Sequence, residues 1–316
     1  MKAESGPAKG TLPHLEQAPP ASRADQPPTG WRLWLAAMRP RTLTIAVAPV
    51  LAGAGWAWAE FHVLRPLPLL VALLAAVLIQ AGTNLWNDLG DYLRGGDQPM
   101  RQGPPRVTAL GWASPERVRG AALGCFALAA LAGLYLGWLG GWPIIALGAA
   151  SLLAGWAYSG GPRPIAYSAL GEIFVIAFFG LGAVAGTVWL MADSLSTRTL
   201  LVGAAIGLPA AGVLMANNYR DMEHDRMVGR RTLAIRLGLD GSKLAYAAFV
   251  LLPFPLLLAP IMPLGAWVIL LAAPWAVRLL LAFAATPRGP AFNVLLAGTA
   301  RYQLVLAALL AAGVVW

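Results

Sequence analysis

The sequence predicts an all-α, polytopic membrane bundle of about nine transmembrane helices around a central cavity, and three observations predict it. Of its residues, 58% are hydrophobic and only 12% are charged, against roughly 25% charged in a typical soluble domain. Several apolar runs reach the length of about 20 residues that a helix needs to cross a bilayer. Lys and Arg gather in alternate loops, as topology determinants do. They form no continuous basic stripe, so the net charge of +9 does not argue for a nucleic-acid partner.

In chain order, residues 1–30 are rich in Pro, Ala, Ser and charged residues, which predicts a disordered tail. They hold no apolar h-region and do not read as a cleaved signal peptide. Residues 31–316 form the transmembrane domain. Its predicted spans are Leu43–Ala59, Pro66–Trp86, Ala121–Leu139, Trp142–Tyr158, Leu170–Met191, Leu200–Ala216, Ala245–Met262, Leu264–Ala285 and Val294–Trp316. Gly133, Gly137, Gly180, Gly182 and Gly186 let neighbouring helices approach closely. Trp138, Trp142, Trp189 and Trp316 fall near span ends, where an aromatic belt is expected.

Arg32, Arg39 and Arg41 precede the first span, and Arg94, Arg101, Arg106, Arg117 and Arg119 follow the second. Arg163 follows the fourth, and Arg220, Arg226, Arg230, Arg231, Arg236 and Lys243 follow the sixth. The intervening loops are short and poor in cations. The positive-inside rule predicts a multi-pass chain with the N-terminus and the long loops in the cytoplasm. The single cysteine, Cys125, lies in an apolar run, and His14, His62 and His224 are far apart. Neither a disulfide framework nor a histidine metal site is expected.

Six of the fourteen acidic residues fall in two short segments. The first reads Asn84-Leu-Trp-Asn87-Asp88-Leu-Gly-Asp91-Tyr-Leu-Arg94-Gly-Gly-Asp97. The second reads Asn217-Asn218-Tyr219-Arg220-Asp221-Met-Glu223-His224-Asp225-Arg226. Each begins at the end of an apolar span. The four- and three-residue spacing puts Asn84, Asp88 and Asp91 on one helix face, and Asn217, Asp221 and Asp225 repeat at four. Asn84 to Asn217 and Asp88 to Asp221 span equal distances, the pattern of an internal duplication. Four crossings separate the segments, so both return to one membrane face, with a site between the halves.

An Asp within a membrane helix costs roughly 2.5–3.5 kcal/mol on insertion scales, so these clusters need counter-charge. Nearby arginines are one source. Mg²⁺ is another, because it takes hard carboxylate oxygens and leaves its other positions to water and phosphate. Solvated loop charges paired with arginine are the plainer explanation, but they do not account for the same pattern occurring twice. Glu172, near the start of the fifth span, is either a functional acid or a favourable charge at a helix N-terminus.

The segments Asn84-x-x-x-Asp88-x-x-Asp91 and Asn218-x-x-Asp221-x-x-x-Asp225 resemble the paired motifs of the UbiA superfamily of intramembrane aromatic prenyltransferases. Within it they are most similar to the branch that prenylates 1,4-dihydroxy-2-naphthoate in menaquinone synthesis. Arg39-Pro-Arg-Thr-Leu43, Gly95-Gly-Asp97 running to Arg101-Gln-Gly-Pro104, Tyr158-Ser-Gly-Gly-Pro-Arg-Pro164 and Gly229-Arg-Arg-Thr-Leu-Ala-Ile-Arg-Leu-Gly238 carry the same resemblance. Met100 stands where that branch would have a further Asp, and Arg230-Arg231 where Lys-Arg is common.

The resemblance implies that Asp88, Asp91, Asp221 and Asp225 hold Mg²⁺ bridged to a prenyl diphosphate, with Asn84 and Asn217 or Asn218 assisting. Arg94, Arg101, Arg220 and Arg226 are the candidates to grip phosphate, which a guanidinium does bidentately. Tyr158 and Arg163 are expected at the aromatic acceptor, Arg163 through its carboxylate. The tail of the donor enters from the lipid bilayer. Other acceptors such as 4-hydroxybenzoate, a transporter with proton- or cation-carrying acids, and a phosphatidyltransferase are the competing readings.

Overall fold

The computed structural model describes residues 28–96, 103, 105–259 and 262–315. Residues 1–27, Asp97, Met100 and Arg101 lie outside them. A short helix α1 (Trp31–Met38) ends at Arg39, which takes a left-handed conformation (φ 56°, ψ 70°). That turn lets Pro40 open α2 (Pro40–Phe61), where its missing N–H needs no partner. α3 (Pro66–Leu93) runs past the predicted end at Trp86, so Asn84, Asp88 and Asp91 share one continuous helix.

The element α4 (Pro115–Ser159) is 45 residues long, or about 67 Å if straight, twice what a bilayer requires. It is not straight. Gly141 breaks it at φ 68°, ψ −159°, a conformation open to glycine. A Cβ on Gly137 would lie 2.6 Å from Ile145, and one on Gly155 would lie 3.4 Å from Phe126. Residues so far apart in sequence touch only if the two arms lie antiparallel. α4 is therefore a helical hairpin, with Trp138 and Trp142 exposed at its tip. Trp189 Nε1 donates to the Gly140 carbonyl at 2.8 Å, which satisfies one backbone acceptor freed by the break.

Next comes α5 (Gly171–Ala192), which widens into a π-turn over Ala177–Gly182. There Gly180 meets α6 (Thr197–Arg220) so closely that a Cβ would lie 2.5 Å from the Gly203 carbonyl oxygen. A short α7 (Met222–Met227) follows, then α8 (Leu233–Leu257), bent at Gly238. The fold closes with α9 (Leu264–Ala285) and α10 (Phe292–Val315). The predicted seventh span, Ala245–Met262, is thus shifted, because the helix starts earlier, at Leu233. Eight helices among the described residues are long and apolar enough to cross a membrane. Since α4 crosses twice, the crossings agree with the nine predicted spans.

Packing around the second acidic segment is aromatic. The Phe283 ring lies 4.1 Å from Tyr246 and 4.7 Å from Tyr219, while Tyr219 lies 5.5 Å from Phe292. These rings tie the end of α6 to α8, α9 and α10. At the opposite end of the bundle, Glu60 accepts from Trp56 Nε1 at 2.7 Å and from Ser196 Oγ at 2.8 Å, joining α2 to the start of α6.

Candidate active site

The two acidic segments meet at one end of the bundle, over a cavity of about 560 Å³ that runs down between the helices. Its polar end is lined by Asn84, Asn87, Asp91, Arg106, Tyr158, Asn217, Asn218, Asp221, His224, Asp225 and Arg230. Its depth is apolar, with Val50, Leu134, Ile144, Ile145, Leu190 and Val213 among the walls.

Arg230 joins the halves. Its Nη2 donates to Asp91 Oδ1 at 2.6 Å and its Nη1 to Asp225 Oδ1 at 3.2 Å. Arg106 bonds the other oxygen of Asp91. Asp91 is 1% exposed, so two guanidinium groups offset the cost of burying its charge. Asp225 has one arginine, and its Oδ2 is buried with no partner. Burial outweighs Arg230 there and pushes the Asp225 pKa up to about 6. His224 Nε2–H donates to the Gly96 carbonyl at 2.8 Å, pinning the end of α3 to α7.

Asp221 receives both Nε and Nη2 of Arg220, while Arg220 Nη1 donates to Asn293 on α10 at 2.6 Å. Arg220 Nη2 also donates to Asn217 Oδ1 at 2.9 Å. Asn84 donates to the Met38 carbonyl at 2.8 Å and to Thr42 Oγ1 at 3.3 Å, fixing the entry of α2 beside the cavity.

Several expected residues stand elsewhere. Asp88 does not line the cavity: its carboxylate accepts the backbone N–H groups of Val107 at 3.0 Å and Thr108 at 3.2 Å. It therefore holds the loop from which Arg106 reaches Asp91. Arg94 donates to the carbonyls of Gly90, Ser159 and Gly161, tying α3 to the end of the hairpin. Arg220 lies behind Asp221 and not in the cavity wall. Arg163 and Arg226 are exposed and outside the lining, because their chain positions fall on the outer side of the loops. Tyr158, Asn84, Asn217, Asn218, Asp91, Asp221 and Asp225 are brought together as expected.

From sequence Arg106 is a topology charge, and Arg230 is that and part of the Gly229–Gly238 stretch that carries the family resemblance, with neither expected in the site. The available signal was local for Arg230, which follows Asp225 by five residues; none marked Arg106. Among the described residues no three His, Cys, Asp or Glu side chains already converge as a metal shell, and Arg230 stands between Asp91 and Asp225. The donor chemistry nevertheless suits a hard cation. Asp225 Oδ2 has no partner, and residues with carboxylate and amide side chains from both halves line one cavity.

The site is thus the carboxylate- and guanidinium-lined end of an apolar cavity within a membrane bundle. The family model described as the UbiA prenyltransferase family matches residues 46–295, and the chain belongs to that family. It is 39% identical over 244 residues to the 1,4-dihydroxy-2-naphthoate octaprenyltransferase of Mycobacterium tuberculosis, covering 77% of this chain and 80% of the relative. The same-named protein of Escherichia coli is 36% identical over 258 residues, covering 78% and 82%. Among solved structures, the apo UbiA homolog from Aeropyrum pernix K1 matches with a TM-score of 0.63 at 18% identity, over 86% of this chain and 96% of that one. The UbiA homolog from Archaeoglobus fulgidus bound to GPP and Mg²⁺ matches at 0.62 and 15% identity, over 89% and 99%. These neighbours share the fold of this chain, a multi-pass membrane prenyltransferase.

Proposed function

We propose that this protein transfers a polyprenyl group from a prenyl diphosphate to 1,4-dihydroxy-2-naphthoate, releasing diphosphate and CO₂. The observation that carries the reading is the continuity of the carboxylate–guanidinium end with an apolar cavity. The acceptor follows from the relatives named for it at 36–39% identity. A site at the cytoplasmic face of a bacterial inner membrane, with the N-terminus on the same side, accords with the basic loops at that end.

The allylic C–O bond of the donor breaks, and its electron pair leaves with the diphosphate. The ring carbon bearing the carboxylate bonds to the allylic carbon, and the pair from the ring–carboxylate bond restores the aromatic ring as CO₂ departs. Mg²⁺, when bound, would neutralise charge building on the leaving oxygens. Asp91, Asp221 and Asp225, with an amide oxygen of Asn218, are the residues that would hold it. With Asp91 engaged by the metal, Arg106 and Arg230 would be the groups to take phosphate oxygens, since a guanidinium fits phosphate as it fits carboxylate. The apolar walls exclude water, so the allyl cation meets the ring first. Tyr158, which lines the same polar end of the cavity, would form part of the acceptor's wall.

Membranes holding the protein, supplied with Mg²⁺ and a prenyl diphosphate, are expected to yield a decarboxylated prenyl-naphthalene by mass spectrometry. Product from 4-hydroxybenzoate alone would move the enzyme to another acceptor, and an untouched diphosphate with either ring would remove the transferase reading. A pH dependence follows from Asp225. Protonated below about 6, it ceases to be a ligand, so half-saturation by Mg²⁺ is expected to need about tenfold more metal per pH unit below that value. Magnesium titrations between pH 5 and 7.5 check this, and a flat profile would take Asp225 out of the ligand set.

A further inference from the structure

We propose that Glu172 is a positioning residue that fixes which end of the Asn218 amide faces the active-site cavity. The inference rests on the metal-dependent reading above and assigns a role to a residue outside both acidic segments. Glu172 opens α5 and is 1% exposed. Its Oε1 accepts from Asn218 Nδ2 at 3.0 Å, while its Oε2 is buried with no partner. A half-satisfied carboxylate among membrane helices is costly, and a helix N-terminus alone does not require one buried so deeply.

The chemistry of the pair supplies a reason. A side-chain amide has an accepting end and a donating end of nearly the same shape, whereas a carboxylate only accepts. Bonding to Glu172 therefore turns the Asn218 NH₂ toward α5 and leaves Oδ1 as the free end. Asn218 lines the cavity, so the atom offered there is an oxygen, which a hard divalent cation takes. The neighbouring Asn217 does not offer the same atom, because its Oδ1 is held by Arg220 Nη2. Without Glu172 the Asn218 amide is free to rotate, and its NH₂ then presents positive hydrogens to a site built for a cation. Outer-shell carboxylates commonly orient a ligand in this way.

Mn²⁺ binding to the purified protein in detergent, followed by electron paramagnetic resonance without substrate, tests the proposal. Glu172→Met, which removes the acceptor at similar length, is expected to weaken Mn²⁺ binding about 10- to 100-fold, the usual effect of losing an outer-shell partner. The double variant Glu172→Met/Asn218→Asp is expected to recover binding to within a few-fold. A carboxylate at 218 presents an oxygen in either orientation. Equal Mn²⁺ affinity in the wild type and Glu172→Met overturns the proposal. So does a double variant that stays weak while melting at the wild-type temperature, since Glu172 would then act by packing alone. A wild-type protein that binds no Mn²⁺ would instead remove the metal reading on which the proposal depends.

Discussion

Asp91→Ala is expected to abolish prenyl transfer and to destabilise the fold at the same time. The carboxylate bonds Arg106 on one oxygen and Arg230 on the other, and all three side chains are largely buried. Its removal leaves two buried guanidinium groups short of a counter-charge, and breaking a buried pair in this way costs about 3–5 kcal/mol. Turnover should fall by roughly 10³-fold or more, the upper range for deleting one electrostatic element of a site. Thermal unfolding in detergent and product formation in membranes are the two measurements. Loss of activity with an unchanged melting temperature would mean that the Arg106–Asp91–Arg230 bridge does not hold the two halves together.

Asp225 separates the two effects. Its pKa is raised from 3.8 to about 6, by burial first and against the pull of Arg230. Between those values the folded protein binds more protons than the unfolded chain. The stability that the protonated group contributes below pH 4 is therefore lost as pH rises through about 6. At pH 7.5 Asp225→Asn is expected to lose turnover as Asp91→Ala does, yet to gain up to about 3 kcal/mol of stability in the absence of metal. Two carboxylates on one arginine thus differ in sign, because one has a second arginine and the other has an unpartnered oxygen.

Gly148→Leu is expected to discriminate sharply between long and short donors. Gly133 and Gly148 fall at the same level of the α4 hairpin, between the Phe126–Gly155 and Gly137–Ile145 contacts. Both line the cavity, and a Cβ on either would meet open space. Leu134 and Ile145 beside them line the cavity as well and are 68% and 51% exposed. The cavity therefore reaches the lipid-facing surface between the hairpin arms. A volume of about 560 Å³ is that of a site for a drug-sized ligand, so a long prenyl tail has to leave the bundle somewhere. Filling the gap should cut turnover of a long donor by about 10- to 200-fold, as crowding of an apolar pocket does. Geranyl diphosphate should be used nearly as before. Competition between the two donors, read by mass spectrometry, gives the ratio directly, and an unaltered ratio would place the exit elsewhere.

The amino-acid sequence by itself determined the membrane bundle and the pairing of its acidic segments. Hydropathy and helical spacing are local quantities, so nine crossings and the shared face of Asn84 and Asp91 could be read from short windows of chain. The hairpin was legible in outline, since the predicted spans stop at Leu139 and resume at Trp142. Tertiary structure alone decided which acid meets which arginine. Arg230 and Asp91 lie 139 residues apart, and no spacing rule relates them. The same holds for Asp88, which has the pattern of a cavity residue but spends its carboxylate on the Val107 and Thr108 amides. Asn217 and Asn218 are indistinguishable as adjacent letters. Arg220 and Glu172, arriving from different directions, make one a held acceptor and the other an open one. A hydrogen bond depends on where both partners end up, and a buried charge takes its counter-charge from whatever the fold brings within reach.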